Sequence, residues 1–340
     1  MHRIFSSWGR ILGGYSPSLS IEITRECPLR CPGCYAYGDD HLGGVTTLRS
    51  LRDFKGQALI DGVHALVDRH KPLHVSIVGG EPLVRFRELN ELLPQLSARG
   101  LHVQVVTSAV RPIPEEWAAI PRLSVAVSID GLPAEHDVRR APATYDRILK
   151  HIVGQQIVVH CTVTRQLVRR SGYLEEFAQF WQDQPDCSKI WFSLYTPQIG
   201  EESDEKLRPE DCRDVVATLM ALSRRHRKVQ MPQALIEVYA APPRSPDECI
   251  FARVTHSVSA DLDTRITPCQ FGGRPDCENC GCMASAGLGA VGRHRLAGPL
   301  RVDHVFNASL ALGSAVRSVR QRLSPPRPDA VPPPAASGAL

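Results

Sequence analysis

The sequence has few aromatic residues, no long apolar run and no block of one charge. Aromatic side chains make up 6% of the 340 residues and charged side chains 22%, as in an ordinary globular protein. No apolar run is long enough to span a membrane as a helix. Lysine and arginine are scattered in short clusters and the formal net charge is +4, so a nucleic acid is not an expected partner.

The amino terminus also lacks the pattern of a signal peptide. Residues 1–18 hold a few apolar side chains, but Arg10 and two adjacent glycines interrupt them. The stretch is too short and broken for the apolar core of a secretion signal. We therefore expect a cytoplasmic protein, in which clustered cysteines indicate metal ligands rather than disulfides.

Cysteine is the residue that the chain has in excess, with eleven in total. A first group consists of Cys27, Cys31 and Cys34. A second group consists of Cys249, Cys269, Cys277, Cys280 and Cys282. The isolated cysteines are Cys161, Cys187 and Cys212, and simple burial as small apolar side chains is their expected role.

The first group has the spacing C-x3-C-x2-C and follows the apolar stretch Leu19–Ile23. A cubane iron–sulfur cluster has four irons, so three thiolates leave one iron open. An open coordination position is typical of a metal site that performs chemistry rather than one that holds a fold. Zinc is the alternative, and it would need a fourth ligand, for which His41 is the nearest candidate.

A second motif follows a strand-like run. The β-rich segment His74–Val78 leads directly into Gly79-Gly-Glu-Pro82. A glycine pair is common in turns and is weak evidence by itself. Together with the cysteine triad, it resembles the radical S-adenosylmethionine (SAM) superfamily over about residues 18–200. The resemblance implies a [4Fe–4S] cluster whose open iron binds SAM, and an electron donor such as flavodoxin or ferredoxin.

The resemblance also implies roles for individual residues. The cluster would be ligated by Cys27, Cys31 and Cys34. The SAM amino group would lie against Gly79, Gly80 and Glu81. Ser128, at the end of a later β-rich run, would reach the ribose or the methionine portion of SAM. The SAM carboxylate would pair with Arg139, or with its neighbour Arg140, through a planar guanidinium.

One position departs from the family pattern. The residue before the third cysteine is often aromatic in this family and contacts the adenine, whereas here it is Gly33. Either Tyr35, directly after the third cysteine, or backbone groups would take part of that role.

The middle of the sequence alternates β-rich runs with helical stretches, which predicts parallel βαβ units. Strands are predicted at Ser20–Thr24, His74–Val78, Val103–Thr107, Ser124–Ile129, Ile157–Val163 and Ile190–Leu194. Helices are predicted near Leu48–His70, Phe86–Ala98, Ala143–Val153, Tyr173–Gln182 and Pro209–Arg225. This order predicts an α/β fold, a partial (β/α)6 TIM-like barrel with a small cysteine-rich C-terminal module. In such barrels the chemistry lies at the carboxyl ends of the strands, where both motifs are expected.

Composition also suggests boundaries along the chain. The expected units are an extension at 1–18, the barrel at 19–228, a connector at 229–248, the cysteine-rich module at 249–300, a helix at 301–323 and a proline-rich disordered tail at 324–340.

The second cysteine group, with a predicted β-hairpin around Asp263-Thr264, resembles the SPASM/twitch modules that extend many radical SAM enzymes. Those modules hold auxiliary iron–sulfur clusters. Five cysteines complete one four-ligand cluster with one to spare, so we expect a single auxiliary cluster. Its ligands would be Cys249, Cys269 and Cys277, with either Cys280 or Cys282 as the fourth. A structural zinc ion is the alternative for this group.

These motifs specify a radical generator but not its target. We expect modification of a peptide or protein, and the alternative is a small-molecule or lipid-precursor enzyme of the hopanoid type, which shares a Pro-Cys and Cys-x2-Cys pattern near the C-terminus. A non-catalytic iron–sulfur protein is a third interpretation, which the complete SAM-binding set disfavours. The catalytic acid–base residues are unassigned. Cys161 and Tyr195, near the ends of the fifth and sixth strands, are the candidates for the barrel interior.

Overall fold

Strands and helices alternate along residues 2–142 and 145–323, the part of the chain that the computed structural model describes. The strands are β1 (Ser18–Glu22), β2 (His74–Val78), β3 (His102–Thr107), β4 (Leu123–Ser128), β5 (Ile157–Val163), β6 (Cys187–Leu194), β7 (Thr255–Val258), β8 (Arg295–Ala297) and β9 (Leu300–Arg301). The helices are α1 (His2–Leu12), α2 (Gln57–His70), α3 (Phe86–Ala98), α4 (Pro133–Arg139), α5 (Tyr145–His151), α6 (Arg165–Val168), α7 (Tyr173–Asp183), α8 (Pro209–Arg225), α9 (Gln233–Ile236), α10 (Ile250–Val254), α11 (Met283–Arg293) and α12 (Val302–Leu323). The predicted tail at 324–340 lies outside the described residues.

The first seven strands form one sheet in the order β6-β5-β4-β3-β2-β1-β7. All of its pairings are parallel, so successive strands from β1 to β6 are joined by crossovers. These contain α-helices except between β3 and β4, where Glu115–Ala119 forms a short 3₁₀ helix. Because the strands run the same way, all of their carboxyl ends lie at one edge of the sheet. The predicted α/β fold, a partial TIM-like barrel with a small cysteine-bearing C-terminal region, is confirmed.

The sheet has one more strand than the sequence predicted. The short strand β7 pairs with β1, with Ser20 opposite Ser257. The predicted hairpin around Asp263-Thr264 is a tight turn just after β7, closed by a hydrogen bond from Ser259 N to Thr264 O at 2.8 Å. This pairing returns the C-terminal part of the chain to the edge of β1, close to the loop that carries the first cysteines.

The two faces of the sheet differ in chemistry. Alternate residues on the outer face pack with the helices in the main apolar core, and they include Leu19, Ile21, Val75, Ile77, Val103, Val105, Val125, Val127, Val159, Cys161, Ile190 and Phe192. Their burial is the main term that stabilises the fold. Cys161 therefore faces the helices, not the barrel interior. The inner face is mostly polar, and it includes Ser20, Ser76, Gln104, Ser124, Ser128, His160, Thr162 and Ser193.

One predicted helix begins later than expected, and the N-terminal extension contains a helix that was not predicted. Helix α2 begins at Gln57 rather than near Leu48, because Gly56 precedes it with a positive φ of 56°. Leu48 instead packs with Ala36 and Ala260 in a separate small core. The N-terminal extension contains helix α1, which packs against α12, where a Cβ on Gly313 would lie 2.0 Å from the Ile11 carbonyl. No helix within 2–142 or 145–323 is long and apolar enough to cross a membrane.

Candidate functional site

The first cysteine group lies in the loop after β1, at the carboxyl edge of the sheet. Its partly exposed thiols are those of Cys27, Cys31 and Cys34. The loop is held from two sides: Glu81 N donates to Glu26 O at 2.7 Å, and Arg30 N donates to Ala141 O at 2.8 Å. It is therefore clamped between the turn after β2 and the end of α4.

The thiols of this loop have perturbed acidities. Burial raises the pKa of Cys27 to about 11. Burial also raises the pKa of Cys31, and the guanidinium of Arg140 is the largest influence in the opposite direction. Metal coordination deprotonates a thiol, so a bound iron would reverse the effect of burial. Three thiolates beside a guanidinium can hold a metal cluster together with an anionic ligand.

Two glycines let the turn after β2 lie directly on the cysteine loop. Gly79 has a φ of +85°, and a Cβ there would lie 2.3 Å from the Cβ of Glu22. A Cβ on Gly80 would lie 2.2 Å from the carbonyl oxygen of Glu26. Neither position has space for a side chain, so backbone groups alone form this surface.

The Glu81 carboxylate is buried and is already bonded within the protein. Its Oε1 accepts hydrogen bonds from Leu83 N at 2.9 Å and from the hydroxyl of Thr107, and its Oε2 accepts one from Ser108 N at 2.8 Å. Burial raises the pKa of Glu81 despite these bonds. The side chain thus ties the end of β2 to the end of β3, so its carboxylate is a positioning group.

The two candidate arginines converge on Asp130, a fully buried carboxylate just after β4. Both Arg139 and Arg140 form ion pairs with it. Burial opposes ionisation of Asp130, but the guanidiniums of Arg140 and Arg139 hold its pKa well below the usual range. Arg139 also forks onto Glu205, with bonds of 2.6 and 3.0 Å. Its guanidinium is therefore occupied by two carboxylates of the protein.

Arg140 has a different set of partners. Its Nε donates to Asp130 at 2.6 Å, and its Nη1 donates to the hydroxyl of Ser108 at 2.9 Å. Its Nη2 makes no hydrogen bond to any residue within the described ranges. Since its charge also acts on Cys31, Arg140 is the arginine that remains available beside the cysteine loop.

The glycine before the third cysteine has a structural cause. Gly33 has a φ of +61°, and a Cβ there would lie 2.7 Å from the Tyr195 hydroxyl oxygen and 2.9 Å from Glu205 Oε2. Tyr195 reaches this place from the end of β6. An aromatic side chain at position 33 is excluded, and the ring of Tyr195 occupies part of that space.

Tyr35 and His41 lie on the other side of the loop, toward the second cysteine group. The Tyr35 ring meets the Phe271 ring edge-on at 5.1 Å and the His41 ring at 5.7 Å. Both nitrogens of His41 are engaged, Nε2 with Glu22 at 2.8 Å and Nδ1 with the Phe271 carbonyl at 2.9 Å. His41 is thus not directed at the cysteine triad as a fourth ligand, and Tyr35 packs against the C-terminal segment.

The second cysteine group converges on one small cavity. The cysteines that line it are Cys249, Cys269, Cys277, Cys280 and Cys282. Burial, together with the nearby thiols of Cys280, Cys249 and Cys277, raises the pKa of Cys269 to about 12. Cys282 accepts a hydrogen bond from the amide of Gln270 at 3.5 Å. Among residues 2–142 and 145–323, no three His, Cys, Asp or Glu side chains converge on a single-ion position.

The segment with the last two cysteines docks on the end of β6. Leu194 N donates to Gly281 O at 2.9 Å, and Gly281 N donates to the Thr196 hydroxyl at 2.9 Å. A Cβ on Gly281 would lie 2.1 Å from the Leu194 carbonyl oxygen, so the contact needs glycine. Both cysteine groups therefore lie at the carboxyl edge of the same sheet.

This arrangement agrees with the comparison to protein families. Residues 21–153 match the model of the Radical SAM superfamily. Over this segment the chain is similar to radical SAM proteins. That segment includes the cysteine loop, the glycine turn after β2 and both candidate arginines.

Two curated relatives match parts of the chain. Fe-coproporphyrin III synthase of Methanosarcina barkeri is 23% identical over 231 residues, which cover 65% of this chain and 55% of that protein. The 7-carboxy-7-deazaguanine synthase of Hyperthermus butylicus is 34% identical over 131 residues, which cover 37% of this chain and 48% of that protein. The chain spans about half the length of each of these relatives.

Solved structures match over more of the chain. SuiB of Streptococcus suis bound to its precursor peptide SuiA gives a TM-score of 0.57 at 14% identity, over 83% of this chain and 67% of that one. The enzyme anSMEcpe with bound AdoMet gives a TM-score of 0.54 at 14% identity, over 90% of this chain and 98% of that one. At these identities the similarity shows the fold alone.

The radical SAM family implies a [4Fe–4S] cluster and SAM, and the residues at the N-terminal site fit both. Three thiols share one clamped loop, a backbone surface without side chains lies against it, and Arg140 supplies a cation. Ser128 lies at the carboxyl end of β4, at the same edge.

Several residues of this site were not predicted from the sequence. Asp130 follows a β-rich run, which is a recognisable position for a functional carboxylate. Glu205 lies in a loop with other acidic residues, and no sequence motif near it indicates a functional role. Glu22 ends β1 and Ser259 directly follows β7, and the pairing of these two strands was not predicted from the sequence. Their roles depend on that pairing.

Proposed function

We propose that this chain is a radical SAM enzyme that reductively cleaves SAM and modifies a peptide or protein. The observation that carries this proposal is the convergence of three elements at one edge of the sheet: the cysteine loop, the side-chain-free turn after β2 and Arg140. Hydrogen bonds from Glu81 to Glu26 and from Arg30 to Ala141 hold them together.

In this proposal Cys27, Cys31 and Cys34 hold the cluster. When bound, the cluster supplies the electron that splits the SAM sulfonium to give a 5′-deoxyadenosyl radical. The backbone at Gly79 and Gly80 forms the surface for the SAM amino group, and Glu81 keeps that turn in place. Arg140, rather than Arg139, pairs with the SAM carboxylate, because Arg139 is occupied by Asp130 and Glu205.

For the second group we propose one auxiliary iron–sulfur cluster in a SPASM/twitch-like module. The ligands would be Cys249, Cys269, Cys277 and Cys280, all of which line the cavity. Cys282 would be the spare thiol, since it is buried at the start of α11 and bonded to Gln270. Zinc is the competing occupant, and visible absorbance together with metal content distinguishes the two.

The polar side chains on the inner face of the sheet favour a polar substrate. Hydroxyl, amide and imidazole groups lie along this face. His160 and Ser193 share a hydrogen bond of 2.8 Å between Nε2 and Oγ. Burial lowers the pKa of His160 to about 4, so its ring is neutral at pH 7 and can both donate and accept a hydrogen bond. Such a surface suits the amides of a peptide better than a long apolar lipid precursor. The peptide complex of SuiB adds a fold-level analogy.

Transfer of deuterium into 5′-deoxyadenosine tests the substrate class. The reconstituted enzyme is given SAM, dithionite and fractions from cells of its source grown in heavy water. We expect deuterium in 5′-deoxyadenosine only with the peptide and protein fraction, because the radical abstracts hydrogen from its substrate. Protease treatment of that fraction should abolish the transfer. Transfer that requires the lipid extract, or a protease-resistant small-molecule fraction, would support the alternative.

An open groove beside the cysteine loop gives a place for the electron donor. It is lined by Arg25, Glu26, Cys27, Pro28, Arg49 and Val84. Hydrogen bonds from Arg85 and then Lys55 lower the pKa of Glu26 to about 2, and these cations balance its charge. Neither Arg25 nor Arg49 forms an ion pair within the described ranges. We propose that an acidic one-electron carrier docks here, next to a cluster ligand.

Charge reversal in this groove should separate two routes of reduction. In the Arg25→Glu/Arg49→Glu variant, we expect flavodoxin-driven formation of 5′-deoxyadenosine to fall about tenfold at low salt, since charge complementarity mainly sets the association rate. Dithionite-driven formation should stay within about twofold, because a small reductant needs no docking surface. Arg213→Glu, at an exposed position on α8, is the control. An equal loss by both routes would contradict the docking proposal.

A further inference from the structure

A buried group of hydrogen bonds, here called the polar bridge, joins the two cysteine groups. It consists of Glu22, His41, Ser259 and the carbonyl of Phe271. His41 Nε2 lies 2.8 Å from Glu22 Oε1, and its Nδ1 lies 2.9 Å from the Phe271 oxygen. The Ser259 hydroxyl donates to Glu22 Oε2 at 2.5 Å. Glu22, His41 and Ser259 are at most 2% exposed, so water does not compete for these bonds.

Each end of the polar bridge lies in a loop that carries cysteine. His41 follows Cys34 in the loop after β1, and Phe271 follows Cys269 in the C-terminal segment. The Phe271 ring also packs on Tyr35, directly beside Cys34. The two loops are interlocked at Gly272, where a Cβ would lie 2.0 Å from the His41 carbonyl oxygen.

The chemistry of the polar bridge makes it stiff. A carbonyl oxygen can only accept, so His41 Nδ1 carries a hydrogen, and one further proton lies between Nε2 and the Glu22 carboxylate. Burial disfavours a charged His41, but its bond to Glu22 raises the pKa of the ring nonetheless. Removal of one partner from such a buried pair is strongly destabilising, so the bridge acts as a fixed connection between the loops.

We propose that the polar bridge couples the two cysteine groups, so that metal ligation at Cys269 helps to position Cys34 and thereby strengthens SAM binding. Ligation at Cys269 holds the segment that carries Phe271. Through its carbonyl and its ring, Phe271 holds His41 and Tyr35 in place. His41 is thus a positioning residue. This inference rests on the proposed function of both groups, and any metal at Cys269 would produce the coupling.

A double-mutant cycle on SAM affinity tests this coupling. Equilibrium dialysis with labelled SAM, without reductant, measures the dissociation constant for wild type, Cys269→Ala, His41→Phe and the double variant. His41→Phe keeps an aromatic ring but removes both hydrogen bonds. We expect Cys269→Ala to weaken SAM binding about five- to tenfold with the bridge intact, and less than twofold in the His41→Phe background. An equal fold-change in both backgrounds, or none in either, would overturn the proposal.

A matched control separates coupling from general loss of stability. His226, which directly follows α8 and is 4% exposed, pairs with Glu175 of α7 at 2.8 Å. In a His226→Phe background, the effect of Cys269→Ala should remain at its full size. Glu22→Met, which removes both acceptor oxygens at similar size, provides a second break in the bridge, for use if His41→Phe yields little folded protein. Wild type that binds no iron or SAM would contradict the proposed function, whereas tight SAM binding that ignores Cys269 would contradict the coupling alone.

Discussion

Replacement of Cys31 by alanine is expected to remove about four of about eight irons from the reconstituted protein, because a cubane cluster with two remaining thiolates is not retained. Cys31 is one of three thiols in the clamped loop, and those in the second cavity belong to another part of the chain. Iron and sulfide analysis after anaerobic reconstitution measures the change. The auxiliary site should keep its metal.

The control for this experiment is Cys212→Ala, which removes an isolated cysteine on α8. Its iron content should equal that of wild type. If Cys31→Ala retained all of its iron, the loop would not be the cluster site. If wild type held only about four irons, all lost in the Cys31 variant, the second group would hold zinc or no metal.

Replacement of Arg140 by glutamine is expected to weaken SAM binding about 10- to 100-fold. A hydrogen bond to a charged group contributes about 1.5–3 kcal/mol, and about 1.4 kcal/mol corresponds to a factor of ten in affinity. The Nη2 group of Arg140 has no partner among the described residues and is available for a carboxylate. Equilibrium dialysis with labelled SAM measures the effect on cluster-loaded protein.

Arg139→Gln is the matched comparison, since the neighbouring guanidinium also contacts Asp130. Loss of the Arg139 guanidinium leaves the Glu205 carboxylate without two hydrogen bonds. The free energy of unfolding should therefore fall by about 3–5 kcal/mol, as for a broken buried ion pair. SAM affinity should fall less than in the Arg140 variant. The reverse order, with Arg139→Gln weakening SAM binding more at equal iron content, would restore Arg139 as the residue that pairs with the carboxylate.

The parts of this site that could be predicted from sequence are those encoded by short-range patterns. The spacing of the first cysteines and the turn at Gly79 and Gly80 after a β-rich run are local, and both lie at the edge where a parallel barrel places its chemistry. Most strands could also be predicted, because each appears in the sequence as a short run of apolar residues. The β7 segment Thr255–Val258 is short and largely polar, so no such run marked it.

Contacts between distant segments could not be read in this way. Glu22 and Ser259 meet only because β7 pairs with β1, and that pairing is what completes the polar bridge. Arg139 and Arg140 are adjacent and equivalent in sequence, and only the distant Glu205 distinguishes them. Likewise, position 33 must be glycine because the side chain of Tyr195, at the end of β6, occupies the space that a Cβ would need.

The most direct test of the central claim is the formation of 5′-deoxyadenosine from SAM by the anaerobically reconstituted, dithionite-reduced protein. Each preparation is first assayed for iron, and the deuterated peptide fraction is present as a source of substrate. We predict that wild type forms 5′-deoxyadenosine and that the Cys27→Ala/Cys31→Ala/Cys34→Ala variant forms none while it retains its auxiliary metal. Wild type that is loaded with iron and forms none, or a triple variant that forms as much as wild type, would contradict the account.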